Sequence, residues 1–312
     1  MPSILAPAKL NLFLSLHGLR PDGYHAIETV VAALRWGDTL HGEAWNTGSD
    51  LQFEWTAAQT MTPNPNDNLV VRAYHTFWQH LQQPPQLGLT GFKVLLIKHI
   101  PTQAGLGGGS SNAAAMLSLM ADHYQSITGT AVAFRVLQAM AESLGSDVPF
   151  FLHYQRHGVR LALCQGRGER VTPLAQPAAG TIAMGQQPLV IVKPKSVAVS
   201  TPAAYQLIRD GNRSSYRSSQ PLQHALQNVG CTKALQTLFH NDFEPVVLPS
   251  HPALQQVAKT LESIGVRRPL LCGSGAAMAG WLDPSDNLSA RSLETHFPAA
   301  GFDCTETQLA LE

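Results

Sequence analysis

The densest chemistry in this 312-residue chain lies at residues 101–115, "PTQAGLGGGSSNAAA", where Gly105, Gly107, Gly108 and Gly109 fall within five positions and Ser110, Ser111 and Asn112 follow directly. Glycine adopts positive φ and lets a ligand approach the backbone, so the run Gly105, Leu106, Gly107, Gly108, Gly109 can turn several N–H groups toward one point. A helix beginning at Ser110–Ser111–Asn112 adds the positive end of its dipole, and the two hydroxyls can donate to phosphate or hold a magnesium ion. These are parts for binding an anion, with a nucleoside di- or triphosphate the first candidate. From the glycines alone, a flexible strand-to-helix turn is an equal reading. Two better-known phosphate motifs fail on the same letters. None of the seven lysines follows a glycine, which excludes GxxxxGK[ST], and the run from Gly105 ends in Ser110 where GxGxxG needs a third glycine.

Two charged residues invite a similar weighing. Asp147 sits in "GSDVPFFL", good turn chemistry, so taken by itself it is a helix-end or turn carboxylate. Lys9 is a lone cation inside "ILAPAKLNLFLSL", amid strand-like apolar residues where an unpaired charge is costly. It either snorkels from an edge strand or meets a carboxylate in a cleft, and the second reading is preferred. Other constellations offer less. His153 and His157 are four apart, but "VPFFLHY" reads as strand, so the pair would not share a helical face. No carboxylate completes a zinc site there, and 13 histidines make chance pairs common. "GRGER", residues 166–170, reads as a short solvated turn, and no GxSxG marks a hydrolase nucleophile.

Taken together, the motifs resemble those of the GHMP kinases, whose phosphate loop has the form P-x-x-x-G-L-[GS]-[GS]-[GS]-x-A. "APAKLNLFLSLHGLRPDGYHAIETV", "GSDVPFFL", "STPAAY" and "LCGSGAAMAG" follow in the family's order and span residues 6–280. "PAKLNLFL…RPDGYH" is similar to one branch in particular, whose acceptor is a methylerythritol carrying a cytidine diphosphate, in the non-mevalonate isoprenoid route. The resemblance implies transfer of the γ-phosphoryl of ATP to the 2-hydroxyl of that acceptor, giving the 2-phosphate and ADP. Asp147 would lie beside the acceptor hydroxyl as general base, with Lys9 next to it neutralising charge at the reacting oxygens. Tyr24 and His25 would recognise the cytidine, Tyr205 would lie across the ring from them, and Asn11 and Thr201 would add polar contacts. ATP would rest on the backbone of residues 105–109 with Ser110 and Ser111, while Asn68 and Lys98 match positions near the adenine pocket. Gly273, Ser274 and Gly275 would form a second glycine turn bordering the site. No metal is implied beyond the Mg²⁺ carried by ATP, with Ser110 or Ser111 as a candidate ligand. The chain departs from the family pattern at Cys272, where Ser or Thr is more usual, and at Ser146, where Ala is. Another member acting on mevalonate, homoserine or a sugar would share the loop but lack "DGYH". A non-catalytic nucleotide sensor would have lost the Lys/Asp pair.

The elements that must hold these groups alternate along the chain. Residues 3–17 read as strand, "GLRPDGYH" as loop, and 28–57 as short β runs broken by "GD" and "NTGSD". Asn68 caps a helix with Leu69, Ala73, Phe77 and Leu81 at intervals of four, and residues 92–100 form a strand stopped by Pro101. Helical patterns cover about 111–125 and 131–144, with Gly145 at the C-terminal cap. "VPFFLHY", "VRLALC" and "LVIVKP" read as strands, residues 171–188 as a connection near a domain boundary, and 211–220 as a mobile polar loop. The last part runs helix (about 252–264), strand (269–272), helix (about 286–296) and strand (about 302–310). The pattern is α+β in two lobes, taken as 1–165 and 166–312. The resemblance implies an N-terminal lobe like the second domain of ribosomal protein S5 and a ferredoxin-like C-terminal lobe.

Composition sets the remaining bounds. Hydrophobic residues make up 44%, charged residues 13% and formal net charge is zero, so there is no basic footprint for nucleic acid or an anionic membrane. "MPSILAPAKLNLF" lacks the features of a signal peptide, and no apolar run is long enough to span a bilayer. Cys164, Cys231, Cys272 and Cys304 are widely spaced and read as reduced thiols. The expectation is a cytoplasmic monomer or weak homodimer with a small-molecule partner.

Overall fold

In the computed structural model, residues 2–45, 51–56, 64–81, 91–174, 177–210, 217–228, 232–282 and 290–311 are described. The first sheet is built on a long hairpin, β1 (Ser3–Leu19) and β2 (His25–Trp45), joined across the tip by the Leu19–His25 pair. β3 (Leu51–Thr56), β4 (Gly91–Ile97), β5 (Leu161–Gly166), β6 (Arg170–Pro173) and the two-residue β8 (His240–Asn241) complete its seven strands, β8 lying parallel to β1. The second sheet contains β7 (Leu189–Pro194), β9 (Arg267–Leu271), β10 (Met278–Trp281) and β11 (Phe302–Thr307) in the order β11-β7-β10-β9. In chain order that arrangement is fourth, first, third, second, with helices in both crossovers, which is the ferredoxin-like topology. The architecture is two-lobe α+β, as expected.

Four helices, α1 (Leu69–His80), α2 (Gly108–Thr128), α3 (Phe134–Leu144) and α4 (Val148–His157), cover one face of the first sheet. There Val31, Ala33, Leu40 and Leu96 pack against Phe77, Met116, Met140 and Phe151. The other face, with Leu10, Leu12, Val30 and Leu34, packs on Ile191, Leu270, Ala279 and Trp281 of the second sheet. The far side of that sheet, Val190, Val192 and Met278, is closed by helices carrying Ala204, Leu254, Val257 and Leu261. The layers therefore run helix, sheet, sheet, helix. This is why β1 is buried on both faces from Ala6 to Leu16 and shows no simple polar alternation. It also explains α2, buried without interruption from Ser111 to Ala121, where alanines let the helix lie close to its neighbours.

Several expectations need correction. "VPFFLHY" is helix α4, with Pro149 in its first turn and Gly158 closing it at φ 67°. His153 and His157 therefore do share a helical face, their ring centroids 5.6 Å apart and both against Phe134. β2 runs unbroken through "GD", because Gly37 is where β1 crosses so closely that a Cβ would run into the Ala6 carbonyl oxygen. Within 171–188 lie the end of β6, paired to β5, and a helix from Ala179 to Gln186. The chain thus stays in the first sheet until Pro173. Cys164 and Cys272 are buried free thiols and Cys304 an exposed one, while Cys231 and residues 211–216 lie outside the described residues. Among the described residues, no helix is long and apolar enough to cross a membrane.

Candidate active site

Strand alternation puts Lys9 and Asn11 on the same side of β1. There the Lys9 ammonium, only 5% exposed, donates to Asn11 Oδ1 at 2.6 Å. Asn11 Nδ2 in turn donates to Thr29 Oγ1 on β2 at 2.7 Å, and Thr29 donates to the Phe13 carbonyl, so both polar side chains are fixed in place. The ammonium also lies 3.7 Å from the Asp147 carboxylate. Asp147 occupies the N-cap position of α4 but makes no side-chain capping bond. A helix-end carboxylate ordinarily accepts from the first-turn amides. This one instead stands 41% exposed, beside Lys9.

The glycine loop enters the same space from above α2. Gly105 and Gly107 have φ of 76° and 72°, the left-handed values that only glycine takes without strain. Both are also hemmed in: a Cβ on Gly105 would run into the Cys272 carbonyl, and one on Gly107 would meet the Phe151 ring at 2.9 Å. The Lys9 amide donates to the Leu106 carbonyl at 3.0 Å, tying the loop to β1. On its other side the loop is hydrogen-bonded to the second glycine turn, Ala276 N–H to the Gln103 carbonyl at 2.9 Å and Ala277 N–H to the Ala104 carbonyl at 3.2 Å. Asn241 Nδ2 holds that turn from behind, donating to the Leu271 and Gly273 carbonyls at 2.8 and 2.7 Å.

A cleft of about 860 Å³ lies between these elements. It is lined by Lys9, Asn11, Tyr24, His25, Asn68, Lys98, Gly105–Ser110, Asp147, Thr201, Tyr205, Gly273 and Ser274. Residues from eight separate stretches of sequence are thus brought together. Two expected residues are not on its wall. Ser111 is fully buried with its hydroxyl unpartnered, and Gly275 lies behind Ser274. Asn68 caps α1 through the Val70 amide at 2.9 Å, and Thr201 shares a hydrogen bond with Ser274 at 3.2 Å. His25 donates from Nδ1 to the His17 carbonyl at 3.1 Å, which leaves Nε2 without a protein partner. Its ring stacks on Tyr205, centroids 5.5 Å apart and planes 16° from parallel, and Tyr205 meets Phe243 edge-on. Burial, helped by the nearby Asp147 charge, pushes the Tyr205 hydroxyl up to about 12, so it remains a proton donor at neutral pH. Tyr24 stands apart, 55% exposed.

Three contributors escaped the sequence reading. Asp38, fully buried, accepts from Lys98 Nζ, from the His99 and Ile100 amides at 2.7 and 2.8 Å, and from Asn112 Nδ2 at 2.9 Å. It anchors the end of β4 to the second turn of α2. Phe243 and Arg167 also line the cleft. The signal for Asp38 was the odd "GD" inside an otherwise apolar strand, which reads as a break until its partners, some 60 residues away, are known.

A glycine loop between strand and helix, a Lys/Asp pair sharing its cleft and two α+β lobes define a GHMP kinase. The description "GHMP kinases N terminal domain" matches residues 68–155. The fold is shared with a mevalonate kinase from L. major at a TM-score of 0.66 and 15% identity, covering 99% of this chain and 97% of that one. A crystal structure of a 4-(cytidine 5'-diphospho)-2C-methyl-D-erythritol kinase fits more closely, with a TM-score of 0.74 and 31% identity over 99% of both chains. A 4-diphosphocytidyl-2-C-methyl-D-erythritol kinase from Polaromonas naphthalenivorans is 34% identical over 94% of this chain and 93% of its own, and one from Acaryochloris marina is 32% identical over 95% and 92%. The chain belongs to the 4-diphosphocytidyl-2-C-methyl-D-erythritol kinase family.

Proposed function

We propose that this protein transfers the γ-phosphoryl group of ATP to the 2-hydroxyl of 4-(cytidine 5'-diphospho)-2-C-methyl-D-erythritol, giving the 2-phosphate and ADP. The observation that carries the reading is the Lys9–Asp147 pair, 3.7 Å apart, in one cleft with the glycine loop. The amides of residues 105–109 and the N-terminus of α2 would cradle the ATP phosphates, and the crowding around Gly105 and Gly107 supports a loop already shaped before ATP arrives. Asn68 would border the adenine. Among the described residues no group of three His, Cys, Asp or Glu side chains could hold an ion alone. Mg²⁺ would arrive with the ATP phosphates and neutralise their charge, with Ser110 a hydroxyl on the cleft wall beside the glycine loop.

Phosphoryl transfer asks for alignment, cancellation of charge and a destination for the hydroxyl proton. Asp147 would accept that proton, a reading supported by its lack of a capping bond and its 41% exposed side chain. Lys9 would offset negative charge on the equatorial oxygens. At the acceptor end, His25 Nε2 is buried without a partner and would bond a cytosine edge once the ring is uncovered, with Tyr205 and Tyr24 offering ring faces. His25 and Tyr205 are already in direct contact, so the base stacks on an outer ring face or parts them. We place the lobe boundary between Pro173 and Ala179, later than 165, because β6 pairs with β5.

The test follows ADP release from ATP and Mg²⁺ with the cytidylyl acceptor, beside mevalonate, homoserine and galactose, for wild type and Asp147→Asn. Turnover confined to the cytidylyl acceptor is expected, with kcat falling about 100-fold or more in the variant while ATP affinity stays within about twofold. Activity on a different acceptor alone would overturn the substrate. An unchanged kcat in the variant would overturn the role of Asp147.

A further inference from the structure

Thr29 is 2% exposed and does not line the cleft, yet it decides how the polar side chains of β1 are wired. It lies on β2 beside the point where the β1–β2 register shifts, between the Asn11–Val31 and Phe13–Val30 pairs. A hydroxyl has one proton to give. Thr29 gives it to the Phe13 carbonyl at 2.6 Å, so toward Asn11, 2.7 Å away, it can only accept. The two ends of an asparagine amide are nearly identical in shape, and its partners fix which end points where. With Thr29 accepting, the NH₂ end must turn to Thr29 and the carbonyl end to Lys9 Nζ, from which it accepts at 2.6 Å.

The reversed amide would fail at both ends. Its carbonyl would face the lone pairs of Thr29, and its NH₂ group would meet the Lys9 ammonium, donor against donor. Turning the Thr29 hydroxyl to meet that carbonyl would strip the Phe13 carbonyl of its bond. Lys9, Asn11 and Thr29 are each at most 5% exposed, so water is a poor substitute for a lost partner.

Resting on the phosphoryl-transfer reading above, we propose that Thr29 is a positioning residue for catalysis: by fixing the Asn11 amide it sets where the Lys9 ammonium stands relative to Asp147. The Asn11 bond, at 2.6 Å, is the short tether on that ammonium, and the ion pair with Asp147, at 3.7 Å, is the looser one. An amide that is lost or reversed lets Lys9 close on Asp147. The carboxylate then becomes a weaker base, and the cation is drawn away from the transferred group.

Steady-state kinetics with ATP and the cytidylyl acceptor test the relay in Thr29→Val, Thr29→Ala and Thr29→Ser. Valine keeps the β-branched shape and removes the hydroxyl. The expected result is a kcat lower by about ten- to a hundredfold, the scale of a hydrogen bond to a charged group, with KM for both substrates within about twofold. Alanine removes the same hydroxyl, should give the same fall, and serves if the valine variant does not fold. Serine keeps the proton and the lone pairs and should return kcat to within about threefold of wild type. In an Asn11→Ala background, Thr29→Val should lower kcat no further, because its route to Lys9 is gone. A lower urea midpoint with unchanged kcat, a serine variant no better than valine, or an effect that persists in full without Asn11 overturns the proposal while the activity stands. Should wild type fail to phosphorylate the acceptor, the activity reading falls and a crystal structure of Thr29→Val decides the relay by itself. An Asn11–Lys9 contact kept at 2.6 Å would overturn it, and a Lys9 ammonium drawn from Asn11 toward Asp147 would uphold it.

Discussion

Asp38 shows how a fully buried residue can fix the position of one that lines the cleft, Lys98. Its carboxylate is wholly buried and gathers two backbone amides, the Asn112 amide group and the Lys98 ammonium, which is itself nearly buried. Removing the charge leaves a desolvated ammonium without its counter-ion, a costly state. Asp38→Asn should therefore destabilise the protein by about 3 kcal/mol in urea unfolding and raise KM for ATP more than it lowers kcat. Loss of stability with an unchanged KM would confine Asp38 to the core. The same scale marks the limit of reading a sequence. Lys9 was legible because a cation in an apolar strand demands a partner. Asp38 was not, because its four donors come from two distant segments and its local context, "RWGD", imitates a turn. Tyr24 was legible as a cleft residue, but the half-stacked arrangement of His25 on Tyr205 was not, since ring contacts between residues 180 apart leave no local trace.

At the scale of elements, α4 was the principal misreading and is also the element that presents Asp147. A short run rich in Phe and Val suits a buried strand and a buried helix alike, and the deciding signals were Pro149 near the start and Gly158 just past the end. Its burial has a consequence for acid stability. His153 packs edge-on to Phe134 with Nδ1 buried and unpartnered, and burial first, then the neighbouring His157, holds its pKa below the ordinary value. The unfolded chain thus takes up a proton at higher pH than the folded one, so stability is intact above about pH 6.5 and falls as pH drops through that value toward the folded pKa. Melting followed by circular dichroism should show Tm falling by about 2–4 °C between about pH 7 and about pH 5.5. His153→Phe, which keeps the edge-on contact, should flatten that slope. An identical slope in the variant would assign the acid sensitivity elsewhere. Helices α1 and α2, by contrast, could be read from their caps and periodicity, with α2 starting three residues early because the glycines themselves form its first turn.

The molecule as a whole is four layers, and the cleft lies where the two sheets are joined. Asn241 belongs to that join: its backbone pairs in parallel with β1 while its side chain holds two carbonyls of the second lobe. Asn241→Ala would leave those carbonyls buried and unpaired, at about 1–3 kcal/mol each. The expected outcome is a lower midpoint in urea, together with a raised KM for the acceptor because Gly273 is released. A lowered midpoint with normal acceptor binding would show that the turn keeps its shape unaided. The two-lobe plan was legible from the ordered motifs, whereas the join was not, because a two-residue parallel strand has no signature in sequence.

The hydrogen bonds from Ala276 and Ala277 to Gln103 and Ala104 fasten the entry of the glycine loop to the opposite lobe. A protein stitched at that line cannot open there like a jaw. The loop is clamped from two sides, by the Lys9 amide of β1 on Leu106 and by Ala276 and Ala277 of the second lobe on Gln103 and Ala104. An anion bound on that loop would then meet a seat that neither lobe holds alone.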